Sequence, residues 1–213
     1  MSSIADIRKD YSQKMLQESD VQASAMEQFK TWWAEAVESA IEEVNAMTLA
    51  TATAQGRPSA RVVLLKGFDE NGFVFFTNYH SSKAQEIEEN PWVSLVFFWK
   101  ELERQVRIEG SIQKIPAKDS DAYFHSRPVE SRIGAWASPQ SKVIASRNVI
   151  EDNVVELQKS FAGKEIDRPP HWGGYIVHPM LIEFWQGRSS RLHDRIQYTL
   201  NEEGQWEINR LAP

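Results

Sequence analysis

The spacing of apolar residues changes along this chain, and each change marks an element. Between Ser24 and Ala46 the residues Met26, Phe29, Trp33, Ala36, Val37 and Ile41 recur every three to four or so positions. That predicts an amphipathic helix with Trp32 and Trp33 near its apolar face. Ser24 and Glu27 have the S-x-x-E spacing of a capping box, which sets the predicted start. From Met47 the period drops to two. MTLATATA, SARVVLLKGF and GFVFFTN, parted by turn signals at GRP and DENG, read as three strands of a meander. SSKAQEIEEN reads as a short helix, with Ser82 and Gln85 at the related S-x-x-Q spacing and Pro91 past its end. VSLVFFW and LERQVRIEGSIQKI form a further strand pair around Lys100 and Glu101. Residues 117–127 and 141–162 read as helices, and WGGYIVHP, LIEFWQG, DRIQYTL and QWEINRL as closing strands. Strands joined by short turns with few helical crossovers predict a mainly β fold, an antiparallel barrel or curved sheet with peripheral helices. Residues 1–23 are polar and read as a partly mobile N-terminal arm ahead of a single domain over 24–213.

Composition narrows the function. The chain has 213 residues, 24 Lys plus Arg against 30 Asp plus Glu, and a net charge of −6. A nucleic-acid binder is expected to be basic, so no nucleic-acid partner is expected. The chain has no cysteine, which excludes disulfides and thiolate metal sites. It has no H-E-x-x-H or other paired metal-ligand spacing, so no metal is expected. No apolar run is long enough to span a bilayer and the N-terminus has no apolar signal core, so a cytoplasmic protein with no membrane partner is expected. Eight tryptophans supply faces for stacking planar ligands as well as for core packing.

Four clusters can carry chemistry. In RVVLLK, Arg61 and Lys66 bracket an apolar strand core. Strict alternation puts them on opposite faces, so one pocket uses both only if the strand twists or bulges, or if a ligand takes backbone groups. The segment also fits a buried strand with charged ends. In the second cluster, Thr77 and Asn78 end a strand and Lys83 sits in the first turn of the next helix. A helix N-terminus favours anions, so a lysine there conflicts with the helix dipole and suits a phosphate. The third, YFHSRPVESRIGAWASPQS, offers Tyr123, Arg127, Ser131, Gln140 and Ser141 as donors, and reads equally as a polar connector between helices. In the fourth, WQGRSSRLHDR, Trp185 and Gln186 fall on opposite faces of a strand. Arg191, His193 and Arg195 share one face if the run is extended, an arrangement that needs an anion beside it. Glu101, Glu103 and Glu109 read as strand-surface residues. There is no nucleophile–base triad and no G-x-G-x-x-G, so the chemistry is expected to come from a bound cofactor.

Together, RVVLLKGFDENGFVFFTN, NPWVSLVFFW, LERQVRIEG, YFHSRP, SRIGAWAS, HWGGY, IEFWQG, RLHDR and INRLAP resemble the pyridoxamine 5′-phosphate oxidase family, from about residue 8 to the C-terminus and in family order. The resemblance implies an FMN-binding split β-barrel and a homodimer with FMN in a cleft between subunits. It implies FMN contacts at Arg61, Val62, Val63, Leu64, Leu65, Lys66, Phe76, Thr77, Ser82, Lys83, Gln105, Gln140, Ser141, Trp185 and Arg195. It implies substrate contacts at Lys66, Tyr123, Arg127, Ser131, Arg191 and His193, with Arg8 and Tyr11 of the arm closing over the substrate and Arg191 and His193 at the reacting carbon. The implied reaction oxidises pyridoxamine or pyridoxine 5′-phosphate to pyridoxal 5′-phosphate, with dioxygen as acceptor and hydrogen peroxide as product. Ser82 stands where many members have an arginine, and Phe76 where many have tyrosine. Three other readings stay open on the residues alone: a flavin split-barrel reductase with another substrate, a non-catalytic carrier of flavin or pyridoxal phosphate, and a β-barrel nucleic-acid binder.

Overall fold

The computed structural model describes residues 3–4 and 10–213. Helix α1 covers Ala25–Glu38, and the Ser24 hydroxyl caps it by accepting the Met26 N–H at 3.3 Å. It stops short of Ala46 because Ala40 and Glu43 take positive φ values of 51° and 49°, which no helix continues through. Nine strands then form one antiparallel sheet: β1 (Ala46–Ala52), β2 (Pro58–Leu64), β3 (Gly67–Asp69), β4 (Gly72–Asn78), β5 (Trp92–Trp99), β6 (Arg104–Lys114), β7 (Trp172–Gln186), β8 (Asp194–Leu200) and β9 (Trp206–Leu211). Their order is β2-β1-β5-β6-β7-β4-β3, with β8 added on β7 and β9 on β8. The sheet curls into a half-barrel around α1, whose buried Phe29 and Trp32 pack with Leu49, Phe97 and Phe184. The expected mainly β fold with peripheral helices is what the chain adopts.

The chain itself links the two ends of the sheet order. The Leu65 N–H donates to Asn45 O at 2.9 Å, on the β1 side, while the next N–H, of Lys66, donates to Val74 O of β4 at 2.8 Å. One residue therefore carries the chain from one end of the sheet order to the other. Alternation nevertheless runs on through this break: Arg61, Val63 and Leu65 face one way, and Val62, Leu64 and Lys66 the other.

β7 is a single strand of 15 residues, where the sequence suggests two. It pairs along its length with β6, but on its other side with β4 over Trp172–Val177 and with β8 over Leu181–Gln186. Pro179 lies in the gap between these two partners, where its missing N–H breaks no ladder. A bulge at Glu109/Gly110 of β6 faces the same point, and a Cβ on Gly110 would lie 2.0 Å from His178 O.

Outside the sheet lie α2 (Ser82–Glu89), α3 (Ala117–Ser126), α4 (Val129–Ala137) and α5 (Asn148–Ser160). The expected connector after Arg127 thus holds a helix, and residues 141–147 are not helical. Phe124, Ile133, Ile166 and Trp172 make a second core under these helices. Among the described residues, no helix is long and apolar enough to cross a membrane.

Candidate active site

One cluster forms where β4 ends and α2 begins. The Lys83 ammonium donates to Thr77 Oγ1 at 3.2 Å, Ser81 Oγ at 3.3 Å and Gln140 Oε1 at 3.4 Å. Burial and the nearby Arg61 guanidinium hold Lys83 below its ordinary pKa. Arg61 is fixed by Thr51, Ser59 and Glu86, the last at 3.1 Å. Ser81 is the residue before α2, and its hydroxyl donates back to Asn78 O, so the helix N-terminus has no side-chain cap. Exposed Ser82 follows as the first helical residue. Two cations beside an uncapped helix N-terminus suit a phosphate dianion.

Next to it is an aromatic stack. The Phe76 ring lies 3.9 Å from that of Tyr123 and 5.4 Å from that of Trp172, nearly parallel to both. The Arg127 guanidinium sits 4.6 Å over Trp172, and its Nη1 is buried without a hydrogen-bond partner. Burial lowers its pKa, which a bound anion would reverse. Lys66, Phe76 and Tyr123 line a cavity of about 650 Å³ floored by Val74, Ile115 and Ile176. Among the described residues Lys66, Lys83 and Arg127 make no ion pair. Ser131 lies in the first turn of α4, four residues beyond Arg127, and Ser141 follows Gln140 with φ 68°. Arg61, Lys66, Phe76, Thr77, Ser82, Lys83, Tyr123, Arg127, Ser131, Gln140 and Ser141 therefore belong to one end of the molecule.

A second cluster occupies the far end of β7. Gln105, Trp185 and Arg195 form one row across β6, β7 and β8. His193 lies 4.6 Å from Trp185, and Tyr11 meets both rings edge-on. Arg191, His193 and Arg195 do not share the face of an extended strand. Ser190 and Arg191 turn at φ 56° and 61°, inside a 3₁₀ turn, and β8 begins only at Asp194. Arg191 is exposed. Arg195 donates twice to the buried Glu183, at 2.8 and 3.0 Å, so its charge is already met. Burial pushes Glu183 up, but hydrogen bonds from Arg195 and Arg107 outweigh it and hold the carboxyl ionised. The Arg188 N–H donates to His193 Nδ1 at 3.1 Å, which leaves the neutral ring its proton on Nε2. Glu103, which alternation marks as a surface residue, is 2% exposed. Arg8 lies outside the described residues.

The two clusters do not meet within one chain. Thr77 pairs with Gly173, and Trp185 lies twelve residues farther along β7, roughly 40 Å on an ideal strand. Val62 and Leu64 project outward from the sheet at the end of β5 that carries exposed Phe98, whereas Arg61 and Val63 face the other way. Leu65 is in the core, with its N–H on Asn45 O and its carbonyl accepting from Asn45 Nδ2, so it presents nothing to either cluster.

A family model described as pyridoxamine 5′-phosphate oxidase matches residues 33–161, and one described as the pyridoxine 5′-phosphate oxidase C-terminal dimerisation region matches 172–213. Pyridoxine/pyridoxamine 5′-phosphate oxidases of Cyanothece sp. and Paraburkholderia phymatum are 56% and 57% identical, over 99% and 100% of both chains respectively. PhzG from Burkholderia lata, solved with tetrahydrophenazine-1-carboxylic acid, superposes with a TM-score of 0.89 at 30% identity, over 96% of this chain and 100% of that one. A pyridoxamine 5′-phosphate oxidase-related, FMN binding protein from Nostoc punctiforme shares the split-barrel fold at TM-score 0.69 and 20% identity, over 87% of this chain and 97% of its own.

Proposed function

Because this chain belongs to the pyridoxine/pyridoxamine 5′-phosphate oxidase family, we propose that it is a pyridoxal 5′-phosphate synthase whose site is shared between two copies. The observation that carries this reading is the separation of the two clusters by most of β7, in a chain whose residues 172–213 match a dimerisation region. A second copy that covers the outward-facing Val62, Leu64 and Phe98 brings the aromatic end of one chain to the phosphate end of the other.

Arg61, Lys83 and the α2 N-terminus would hold the phosphate of FMN. Gln105, Trp185 and Arg195 of the second copy would face its ring. When bound, FMN would supply the electron acceptor for oxidation of the substrate at C4′, with dioxygen as the final acceptor and hydrogen peroxide as product. Lys66, Tyr123, Arg127 and Ser131 hold the substrate phosphate, and the unpartnered Arg127 Nη1 is a donor directed to it. Arg191 and His193 flank the reacting carbon. Since His193 Nδ1 already accepts a backbone N–H, the ring presents Nε2–H and orients the substrate's oxygen or nitrogen as a donor. Pyridoxine 5′-phosphate plus dioxygen gives aldehyde plus peroxide. The amine consumes one water as well and releases ammonia.

The test is to add FMN to the purified protein, supply pyridoxamine 5′-phosphate in air, and follow pyridoxal 5′-phosphate and peroxide together. Equal formation of both is expected. Tight flavin binding with neither product would reassign the chain to another flavin split-barrel activity.

A further inference from the structure

Residues 10–17 have no regular structure and are followed by a 3₁₀ turn at Glu18–Asp20, yet this strap is fastened at fixed points. The N–H groups of Ser12 and Gln13 both donate to Oε2 of Glu103, at 2.9 and 3.2 Å. Farther along, the Leu16 N–H donates to Asp194 Oδ2 at 3.1 Å, and Leu16 O accepts from Arg210 at 2.9 Å. The first fastening sits directly behind Tyr11, whose ring lies 5.8 Å from Trp185 and 6.0 Å from His193.

Glu103 is unusual in three ways. It is buried, it bears a carboxyl group, and it holds a left-handed backbone at φ 54° that a side chain this long rarely adopts. Its own carbonyl accepts the Gly187 N–H at 2.7 Å and Gln186 Nε2 at 3.2 Å. One residue thus ties the strap through its side chain and the bend before Arg188–His193 through its backbone. Gly187 keeps the two in register. A Cβ there would fall 2.8 Å from Tyr11 Cγ and 3.1 Å from Glu103 Cβ.

We propose that Glu103 is a positioning residue of the reaction, fastening residues 12–13 so that Tyr11 packs edge-on against Trp185 and His193 and holds His193 toward the substrate. It acts through Tyr11. The inference rests on the proposed function, which takes Trp185 and His193 as site residues.

Trypsin cleavage after Lys14 reports strap release without reference to catalysis. Three variants are compared with wild type as FMN-loaded protein. Glu103→Ala removes the acceptor. Ser12→Pro removes a donor from the strap and leaves the buried residue and the core alone, so folding is not at issue. Glu103→Gln keeps an acceptor oxygen of the same reach. Glu103→Ala and Ser12→Pro are expected to speed cleavage about tenfold and to raise KM for pyridoxine 5′-phosphate about tenfold, with kcat within about twofold and FMN affinity unchanged. Glu103→Gln is expected to restore most of both. Faster cleavage with unchanged KM would overturn the link to the site, and unchanged cleavage in both disruptive variants would overturn the fastening. A wild-type protein inactive on both substrates would remove the functional reading and with it the role of Glu103 in catalysis, an outcome told apart because the cleavage series does not depend on turnover.

Discussion

The two ends of β7 use arginine and lysine in opposite ways. At the Trp172 end, Arg61 is paired with Glu86 and Arg168 with Asp121, but Lys66, Lys83 and Arg127 have no carboxylate partner among the described residues, and burial holds Lys83 and Arg127 below their ordinary pKa values. At the Trp185 end, Arg195 is locked to Glu183, Arg188 to Asp194, and Arg210 to both Asp194 and Glu18. Half-buried cations such as Lys83 and Arg127 are unfavourable without a counter-charge, so the first end is suited to receive an anion. At the second end these charges are met internally, tying β7, β8, β9 and the N-terminal segment together, and Arg191, exposed and without an ion pair among the described residues, is the exception. A net charge of −6 therefore says nothing about either end.

The largest expected effect breaks the comparison into two chains. Arg127→Glu and Arg191→Glu should each abolish turnover alone. When the two are co-expressed, random pairing makes half the dimers mixed, and each mixed dimer holds one intact site of two, so about one quarter of wild-type activity should return. Recovery absent from purified mixed dimers would mean that each chain builds its site alone. Next, Lys83→Met should weaken FMN binding by about 10- to 150-fold, read by flavin fluorescence, with little change in melting temperature. Glu183→Gln should reverse that pattern, lowering stability by about 2 kcal/mol in chemical denaturation, because Arg107 and Arg195 lose a shared carboxylate. Ser82→Arg should tighten FMN binding by up to about tenfold while costing the flavin-free protein a few tenths of a kcal/mol, since a third cation joins the α2 N-terminus.

The smallest effect is a proton. Lys83 sits below its ordinary value of 10.5 in the free protein, and a bound phosphate raises it again. FMN binding at alkaline pH should therefore take up a fraction of a proton, measurable by calorimetry in two buffers of different ionisation heat. Affinity should decline as the pH climbs through the lowered Lys83 value. The flavin-free protein should respond in the opposite sense: its lysine is depressed, so folding favours the neutral form and stability is gained above that value.

Strand periodicity was readable from the sequence because β1, β4 and β5 each bury one face, and a period of two has no other cause there. Partnership was not readable. That Arg195 stands opposite Trp185 and diagonal to Glu183 follows from the register of β7 with β8, which local spacing does not encode. RLHDR looked extended because the positive φ values of Ser190 and Arg191 leave no mark in residue type. Helix α4 is not legible in the sequence because VESRIGAWA mixes Gly and Ser with an interrupted apolar stripe. Glu103 passed for a surface residue, since alternation cannot tell an exposed glutamate from one whose partners come from 90 residues away. The N-terminal face of α2, by contrast, was visible as a lysine at the wrong end of a helix.

The strap also sets an order of assembly. Residues 10–18 leave the ribosome early, but their anchors Glu103, Asp194 and Arg210 follow by roughly 90 to 190 residues. During synthesis the early segment has nothing to hold it, and the sheet must be finished through β9 before Arg210 can grip Leu16 and Glu18. The phosphate end is completed once β7 pairs with β4, before β8 and β9 exist. A nascent chain should thus complete its phosphate end first and its strapped aromatic end last, so that the two halves of the site are finished at separate moments of the protein's own biogenesis.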